Sequence, residues 1–118
     1  MKCVFAQTAI FIDDWDDLGL GDDDLRVFEQ MLMQNLVAGR VIRGTGGARK
    51  IRFAPPGRSK GKSGAVRVIY GYFPEFAHIY LFLAYGKSER AELSGDERSM
   101  CTQMMLAIRH ALRKRTGR

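Results

Sequence analysis

Hydrophobic and polar residues follow a helical period in the first third of the chain. The segment "IDDWDDLGL", residues 12–20, predicts one or two helical turns, after a short strand in "CVFAQT", residues 3–8. A second helix is predicted from residue 22, because the aspartates at its start satisfy free backbone N–H groups, and its apolar positions are Leu25, Phe28, Leu32 and Leu36. We expect this amphipathic helix to end near Asn35 or Gly39.

Strand patterns replace the helical period from residue 40. Three segments are rich in β-branched and aromatic residues and are bounded by Gly, Pro and Ser: "ARKIRFA" (48–54), "AVRVIYGYF" (65–73) and "AHIYLFLAYG" (77–86). The last is nearly apolar on both faces, which predicts a central strand covered on both sides.

A helical pattern returns in "SGDERSMCTQMMLAIRHALRKR", residues 94–115. Ser94 and Glu97 have the spacing of a capping box, and the predicted apolar stripe consists of Met100, Met104, Ala107, Ile108, Ala111 and Leu112. The order of elements predicts a single α+β domain over residues 1–118. We expect a small, mostly antiparallel sheet, two N-terminal helices and one C-terminal helix.

Charge is distributed unevenly along the 118 residues, whose net charge is +6. Residues 1–35 contain two cations and eight acids, a balance of −6, whereas residues 36–90 contain eleven cations and two acids, a balance of +9. This segregation favours a basic surface that binds polyanions. No secretion signal and no long apolar run are evident, so we expect a soluble, cytoplasmic protein without a membrane partner.

The glycine-rich basic segments do not have the context of nucleotide-binding loops. A P-loop ending in "GKS" at residues 61–63 would need glycine where Pro56 stands, and a strand follows it where a helix is required. The dinucleotide pattern that begins at Gly44 and Gly46 has Arg49 at its last position. We therefore interpret these glycines as turn residues. Cys3 and Cys101 have no metal-ligand spacing, and no cofactor is predicted.

The cations of the predicted sheet form the candidate site. Strand alternation places Lys50 and Arg52 on one face and Ile51 and Phe53 on the other. Arg67 on the next strand is within reach of the same face, and the segment "YGKSER" adds Tyr85, Lys87 and Arg90. Further cations predicted to bind a phosphate backbone are Arg43, Arg49, Arg58, Lys60 and Lys62. His78 and His110 are interpreted as structural.

Three blocks of the sequence resemble the HigB branch of the RelE/ParE superfamily, the toxins of bacterial type II toxin–antitoxin pairs. The blocks are "VIRGTGGARKIRFA", "GKSGAVRVIYGYF" and "YLFLAYGKSERAELS", in this order. The resemblance implies a RelE-like fold, cleavage of translated mRNA on the ribosome, and neutralisation by a HigA-like helix-turn-helix antitoxin.

The same resemblance implies that basic strand residues carry the catalysis, which in this chain match Lys50, Arg52 and Arg67. RelE has a further arginine and a catalytic tyrosine after its last strand, whereas Ser88 and Ser94 stand here. Tyr85 and Lys87 are the candidate substitutes. Lys50 is the candidate general base, because neighbouring cations disfavour its charged form.

Two other classes of function remain open from the sequence. A ParE-like protein would inhibit DNA gyrase by binding and would not cleave RNA. A non-catalytic nucleic-acid-binding domain would retain the charge, and Tyr70, Tyr72 and Phe73 could stack on bases if they were exposed. Core packing is the alternative role of these three aromatic residues.

Overall fold

A five-stranded mixed sheet organises the chain, and three helices pack against it. The computed structural model describes residues 3–56, 65–86 and 92–117. The strands are β1 (Val4–Gln7), β2 (Arg40–Val41), β3 (Arg49–Phe53), β4 (Val66–Phe73) and β5 (His78–Gly86). The helices are α1 (Ala9–Asp17), α2 (Asp22–Gln34) and α3 (Gly95–Thr116), and a 3-10 turn at Pro74–Phe76 joins β4 to β5.

The strand order is β1-β5-β4-β3-β2. β1 runs parallel to β5, and the other neighbouring strands are antiparallel. The predicted α+β class, with a mostly antiparallel sheet, two N-terminal helices and a C-terminal helix, is confirmed. The two-residue strand β2 was not predicted, because it is too short to show an alternation of its own.

Two apolar clusters lie on opposite faces of the sheet. α1 and α2 cover one face with residues such as Trp15 and Phe28, while α3 covers the other with Cys101, Met105 and Leu112. β5 contributes Ile79 and Leu81 to the first cluster and Leu83 and Tyr85 to the second. The apolar pattern on both faces of this strand therefore predicted its central, doubly covered position correctly.

Beyond the end of β1, side chains from the start and middle of α1 form hydrogen bonds with the backbone of β5. Phe82 has no partner on β4 and forms a β-bulge, and the Thr8 hydroxyl donates to its carbonyl at 2.7 Å. The Ala84 N–H donates to the Asp14 carboxylate at 3.0 Å. Side chains at the start and middle of α1 thus satisfy backbone groups that β1 is too short to pair.

Helix capping follows the sequence at α2 and α3 and departs from it at α1. The Gly21 N–H donates to Asp24 at the start of α2, and Ser94 forms the predicted capping box of α3 with Glu97. α1 begins at Ala9, three positions before the predicted start, because the Thr8 hydroxyl accepts from the Phe11 N–H at 3.0 Å. The sequence analysis did not identify Thr8 as the N-cap, because the aspartates that follow are also favoured at helix starts.

The buried stripe of α3 is rotated relative to the predicted one. Its centre is Cys101, Met105 and Leu112, while Met100, Met104 and Ile108 are partly buried at its flanks. Ala107 and Ala111, which the prediction included, are exposed. The segment "MMLAI" offers apolar side chains on adjacent faces, so the helical period alone does not determine which face packs on the sheet.

The glycine-rich segment before β3 is a turn, as the sequence predicted. Gly44, Gly46 and Gly47 have φ angles of 77°, 72° and 108°, a region that favours glycine. Thr45 is fully buried at the centre of the turn, where its hydroxyl donates to the Ile42 carbonyl at 2.6 Å. The first turns of α3 hold this segment from outside, because Arg98 and Thr102 donate to the carbonyls of Arg43 and Gly44.

Tyr70 forms hydrogen bonds with the connection between α2 and β2. Its hydroxyl donates to the Leu36 carbonyl at 2.9 Å and accepts from the Gly39 N–H at 3.0 Å. Burial raises the pKa of Tyr70, which keeps the hydroxyl protonated as a donor. Tyr70 and Phe73 are buried in the core and Tyr72 is half-buried.

We predict that Gly39→Ala destabilises the protein by about 1–3 kcal/mol. A Cβ at this position would lie 2.7 Å from Cε1 of Tyr70 and 2.9 Å from its hydroxyl oxygen, so the buried ring must move and its hydrogen bonds weaken. Urea denaturation followed by circular dichroism measures the change. Gly95→Ala is the control, because no heavy atom lies within 4 Å of the added methyl group. Equal stability of the two variants would contradict the prediction.

Candidate functional site

Three of the predicted site residues form one row across the sheet. Arg52 on β3 is the register partner of Arg67 on β4, and Arg67 is the register partner of Tyr85 on β5. Directly opposed side chains in a sheet have Cβ atoms about 5 Å apart and lie on the same face. Ile51 and Phe53 pack into the cluster under α1 and α2, so the row lies on the opposite face, which α3 partly covers.

The two arginines of this row form no ion pair with an acid of the described residues. Like charges on directly opposed strand residues lower stability by an amount on the order of 0.2–1 kcal/mol. Arg52 is exposed, whereas Arg67 is half-buried. Nη1 of Arg67 is a buried side-chain nitrogen that has no hydrogen-bond partner within the described residues. An anion placed between the two guanidinium groups would relieve both the repulsion and the unsatisfied donor.

Tyr85, the third residue of this row, has its side chain buried in the core. Its side chain is only 1% exposed and belongs to the apolar cluster under α3, together with Leu93. A ring so enclosed suits a role in positioning Arg67 better than direct contact with a ligand. The sequence analysis placed Tyr85 at the end of the last strand and did not indicate its burial.

A second row on the same face contains Lys50, two residues before Arg52 on β3. This row adds Arg40, a cation that the sequence analysis did not include in the site. Lys50 is half-buried and is the register partner of Ile69 on β4 and of Arg40 on β2. Arg40 is exposed and shares the face of Lys50. Pairing the strands on either side of the glycine-rich turn could have found Arg40, but the long turn left the register undetermined.

Arg43 and Arg49 occupy other environments than this face. Arg49 lies on the face of Tyr70, its register partner, and Nη1 of Arg49 donates to the carbonyls of Gly39 at 2.7 Å and Val37 at 3.3 Å. Arg43 is exposed in the turn before β3. The structure therefore ties Arg49 to the α2–β2 connection and leaves Arg43 beside the first turns of α3.

Five predicted site residues lie outside the described part of the chain: Arg58, Lys60, Lys62, Lys87 and Arg90. Ser94, which stands near the position of a catalytic residue in the resembled family, is engaged as the N-cap of α3. His78 lies at the start of β5, with Nδ1 2.7 Å from the Phe76 carbonyl oxygen, and His110 is exposed on α3.

The described residues offer no cluster of metal ligands, and the Cys101 thiol is buried. Within the described ranges, no three His, Cys, Asp or Glu side chains come together as metal ligands would. Burial, reinforced by the charge of Glu97, raises the pKa of the Cys101 thiol to about 11, so this thiol is unreactive at neutral pH. No helix in the part of the chain that the structure describes combines the length and apolarity needed to cross a membrane.

Two solved structures of the E. coli toxin RelE have an architecture similar to that of this chain. A double-arginine mutant of the E. coli toxin RelE in the free state superposes with a TM-score of 0.51 at 16% identity, covering 75% of this chain and 87% of that chain. The fold is RelE-like. The isolated E. coli RelE toxin gives a TM-score of 0.46 at 15% identity, covering 86% of this chain and 98% of that one. No protein-family model matches the sequence.

We expect the cations of β3 to differ in how much each contributes to the stability of this RelE-like fold. We predict that Arg49→Ala lowers the free energy of unfolding by about 1–2 kcal/mol, because two backbone carbonyls lose their charged donor. Arg52→Ala is the matched control on the same strand, and we expect it to change stability by less than about 0.5 kcal/mol because the side chain is exposed. Urea titrations of both variants measure the difference. A larger loss for Arg52→Ala would contradict this assignment.

Proposed function

We propose that this protein is a HigB-type toxin of a type II toxin–antitoxin pair, a ribosome-dependent endoribonuclease that cleaves translated mRNA in the cytoplasm. A HigA-like antitoxin would be its neutralising partner. The observation that carries the proposal is the Arg52–Arg67 pair. In this pair Nη1 of Arg67 is buried and has no hydrogen-bond partner among the described residues, and the exposed Arg52 lies directly opposite. The RelE-like fold and the resemblance of three sequence blocks to HigB support the choice of family.

Arg52 and Arg67 suit the electrostatic part of RNA cleavage. When a ribose 2′-oxygen attacks the adjacent phosphorus, negative charge accumulates on the nonbridging oxygens before the 5′-oxygen leaves. Two guanidinium groups on opposed strand positions can each donate to these oxygens, and they remain charged throughout. Because both arginines are on regular strands, their positions are set before the substrate binds.

Lys50 is the proposed general base that accepts the 2′-hydroxyl proton. It lies on the same face of β3 as Arg52, two residues away, with Arg40 directly across on β2. Lys87 is the proposed donor of the proton to the leaving 5′-oxygen, and Tyr85 holds Arg67 in place.

The ribosome supplies the substrate geometry in this proposal. The described site residues contribute charge and a base, and the ribosome would hold the RNA strand in the in-line arrangement. Positioning of this kind is worth many orders of magnitude in rate. An mRNA held in the decoding region would present one phosphate at a time to the Arg52–Arg67 pair.

We predict that Lys50→Ala, Arg52→Ala and Arg67→Ala each reduce mRNA cleavage on programmed ribosomes by about a hundredfold or more, because each removes a group that acts in the transition state. Lys87→Ala should be intermediate and Tyr85→Phe the mildest. Arg113→Ala, an exposed cation in the last turn of α3, is the control for net charge. Primer extension on the same preparations measures cleavage, and thermal melts verify folding.

Two outcomes would contradict the proposed reaction. Normal cleavage by folded Arg67→Ala protein would remove the guanidinium pair from the mechanism. Wild-type protein that leaves translated mRNA intact but inhibits DNA gyrase in a supercoiling assay would replace the endoribonuclease with a ParE-like function.

We also predict that neutralising Arg58, Lys60 and Lys62 together weakens ribosome association without changing the cleavage step. Binding that releases counterions from phosphates depends on salt with a slope of about −0.7 to −0.9 per contact, so the triple variant should show a flatter slope. Ribosome sedimentation at several salt concentrations gives this slope, and single-turnover cleavage at saturating toxin gives the rate. An unchanged slope would exclude these residues from the ribosome contact.

A further inference from the structure

α3 covers only one end of the sheet face that carries the cations. Ala48, just before β3, is fully buried in the cluster under α3, whereas Lys50 is half-buried and Arg52 is exposed. On β2 the same change separates Ile42, which packs against that cluster, from the exposed Arg40. Arg40 therefore lies outside the area that α3 covers, on the strand at the end of the sheet.

Arg40 contributes no charge pairing to the fold. Its guanidinium forms no ion pair with an acid of the described residues. It stands directly opposite Lys50, and like charges on opposed strand positions lower stability. Arg49 on the other face of β3 differs, because it donates to two backbone carbonyls. A cation that lowers stability and pairs with no described acid is suited to an external anion.

Arg40 lies one phosphate step away from the guanidinium pair of the candidate site. Arg52 faces Arg67 across β3 and β4, while Lys50, two residues earlier on β3, faces Arg40 on β2. From the rise of a strand and the spacing between strands, the Cα atoms of Arg40 and Arg52 are about 8 Å apart. Two long side chains at this separation can reach successive phosphates of one extended RNA strand.

The roles assigned to the site set the direction of that strand. The ribose whose 2′-oxygen attacks lies beside the proposed base, Lys50, and its nucleotide is on the 5′ side of the bond that breaks. In-line displacement places the leaving 5′-oxygen on the opposite side of the phosphorus from Lys50. The strand therefore approaches the Arg52–Arg67 pair from the side of Lys50 and Arg40, with its 5′ part over β2.

We propose that Arg40 binds the phosphate one nucleotide to the 5′ side of the scissile phosphate, and so anchors the attacking nucleotide beside Lys50. The ligand is a phosphodiester of single-stranded RNA, so the contact adds affinity and fixes the register without reading a base. The anion site follows from the exposure, position and charge of Arg40. Its place in the RNA strand rests on the proposed function, and Arg40 is a positioning residue.

Single-turnover cleavage of mRNA on programmed ribosomes tests this assignment. We expect Arg40→Ala to raise the toxin concentration for half-maximal rate about tenfold, because a charged contact is lost. The maximal rate should stay within about twofold of wild type, because the contact is the same in the ground state and the transition state. Arg40→Lys keeps the charge and should recover most of the loss. Arg113→Ala, an exposed cation on α3, is the control for net charge.

Single methylphosphonate linkages in the mRNA identify the phosphate that Arg40 contacts, because each removes one negative charge. Placed one nucleotide to the 5′ side of the mapped cut, the neutral linkage should weaken wild-type toxin by about the same factor as Arg40→Ala and should not weaken Arg40→Ala further. Placed one nucleotide to the 3′ side, its effect should add to that of Arg40→Ala, because the two share no contact.

A binding measurement that needs neither ribosome nor cleavage accompanies these assays. A fluorescent single-stranded 2′-O-methyl RNA is titrated with full-length toxin at several salt concentrations. Each phosphate contact to a single strand contributes a slope of about −0.7, so Arg40→Ala should flatten the salt dependence by about that amount. Arg40→Lys and wild type should have equal slopes, and Arg113→Ala should leave the slope unchanged.

The contrary results are distinct. A wild-type half-maximal concentration and salt slope for Arg40→Ala, or no binding of the RNA by wild-type toxin, would overturn the phosphate contact. Coupling of Arg40→Ala to the 3′ linkage would overturn its assigned place in the strand. Failure of the proposed function is separate: wild-type toxin would leave translated mRNA intact while Arg40→Ala still flattened the salt slope. That result would keep Arg40 as a phosphate contact and overturn its place beside a scissile phosphate.

Discussion

Burial of β5 on both faces is the constraint on which the remaining architecture depends. A strand in this position presents apolar side chains to two helical layers, and every backbone N–H and carbonyl along it needs a partner inside the protein. β4 pairs with one side of β5 from His78 to Gly86, except at the Phe82 bulge. On the other side β1 is short, so Thr8 and Asp14 complete the pairing from α1. The N-terminal strand and helix are therefore bound to the C-terminal half of the sheet.

The same constraint keeps the cations away from the centre of the sheet. Charged side chains are not tolerated where both faces are covered, so they lie on β2 and β3 and at the first residues of β4. Arg67 lies at the limit of this region, because it is half-buried and its Nη1 has no hydrogen-bond partner among the described residues. Placing the Arg67 guanidinium beside that of Arg52 lowers the stability of this part of the sheet, and a bound phosphate would restore that stability. The RelE-like fold supplies the scaffold, while the chemistry depends on these particular side chains.

Charges of opposite sign lie on opposite faces of the sheet. All eight acids of residues 1–35 lie on α1 and α2, which cover one face. Lys50, Arg52 and Arg67 lie on the other face. The uneven distribution of charge along the sequence is therefore also a separation in space.

Local periodicity and capping determined much of this structure from the sequence alone. They predicted α2 and α3, the three long strands, the central position of β5 and the common face of Lys50 and Arg52, because these features depend on neighbours a few residues apart. Tertiary structure decided which strands meet and in which register. It placed Arg52 opposite Arg67, brought Arg40 to Lys50, tied Arg49 to the α2–β2 connection and selected the buried face of α3. Such features depend on turn conformations and on packing between distant segments, which a local pattern of side chains does not specify.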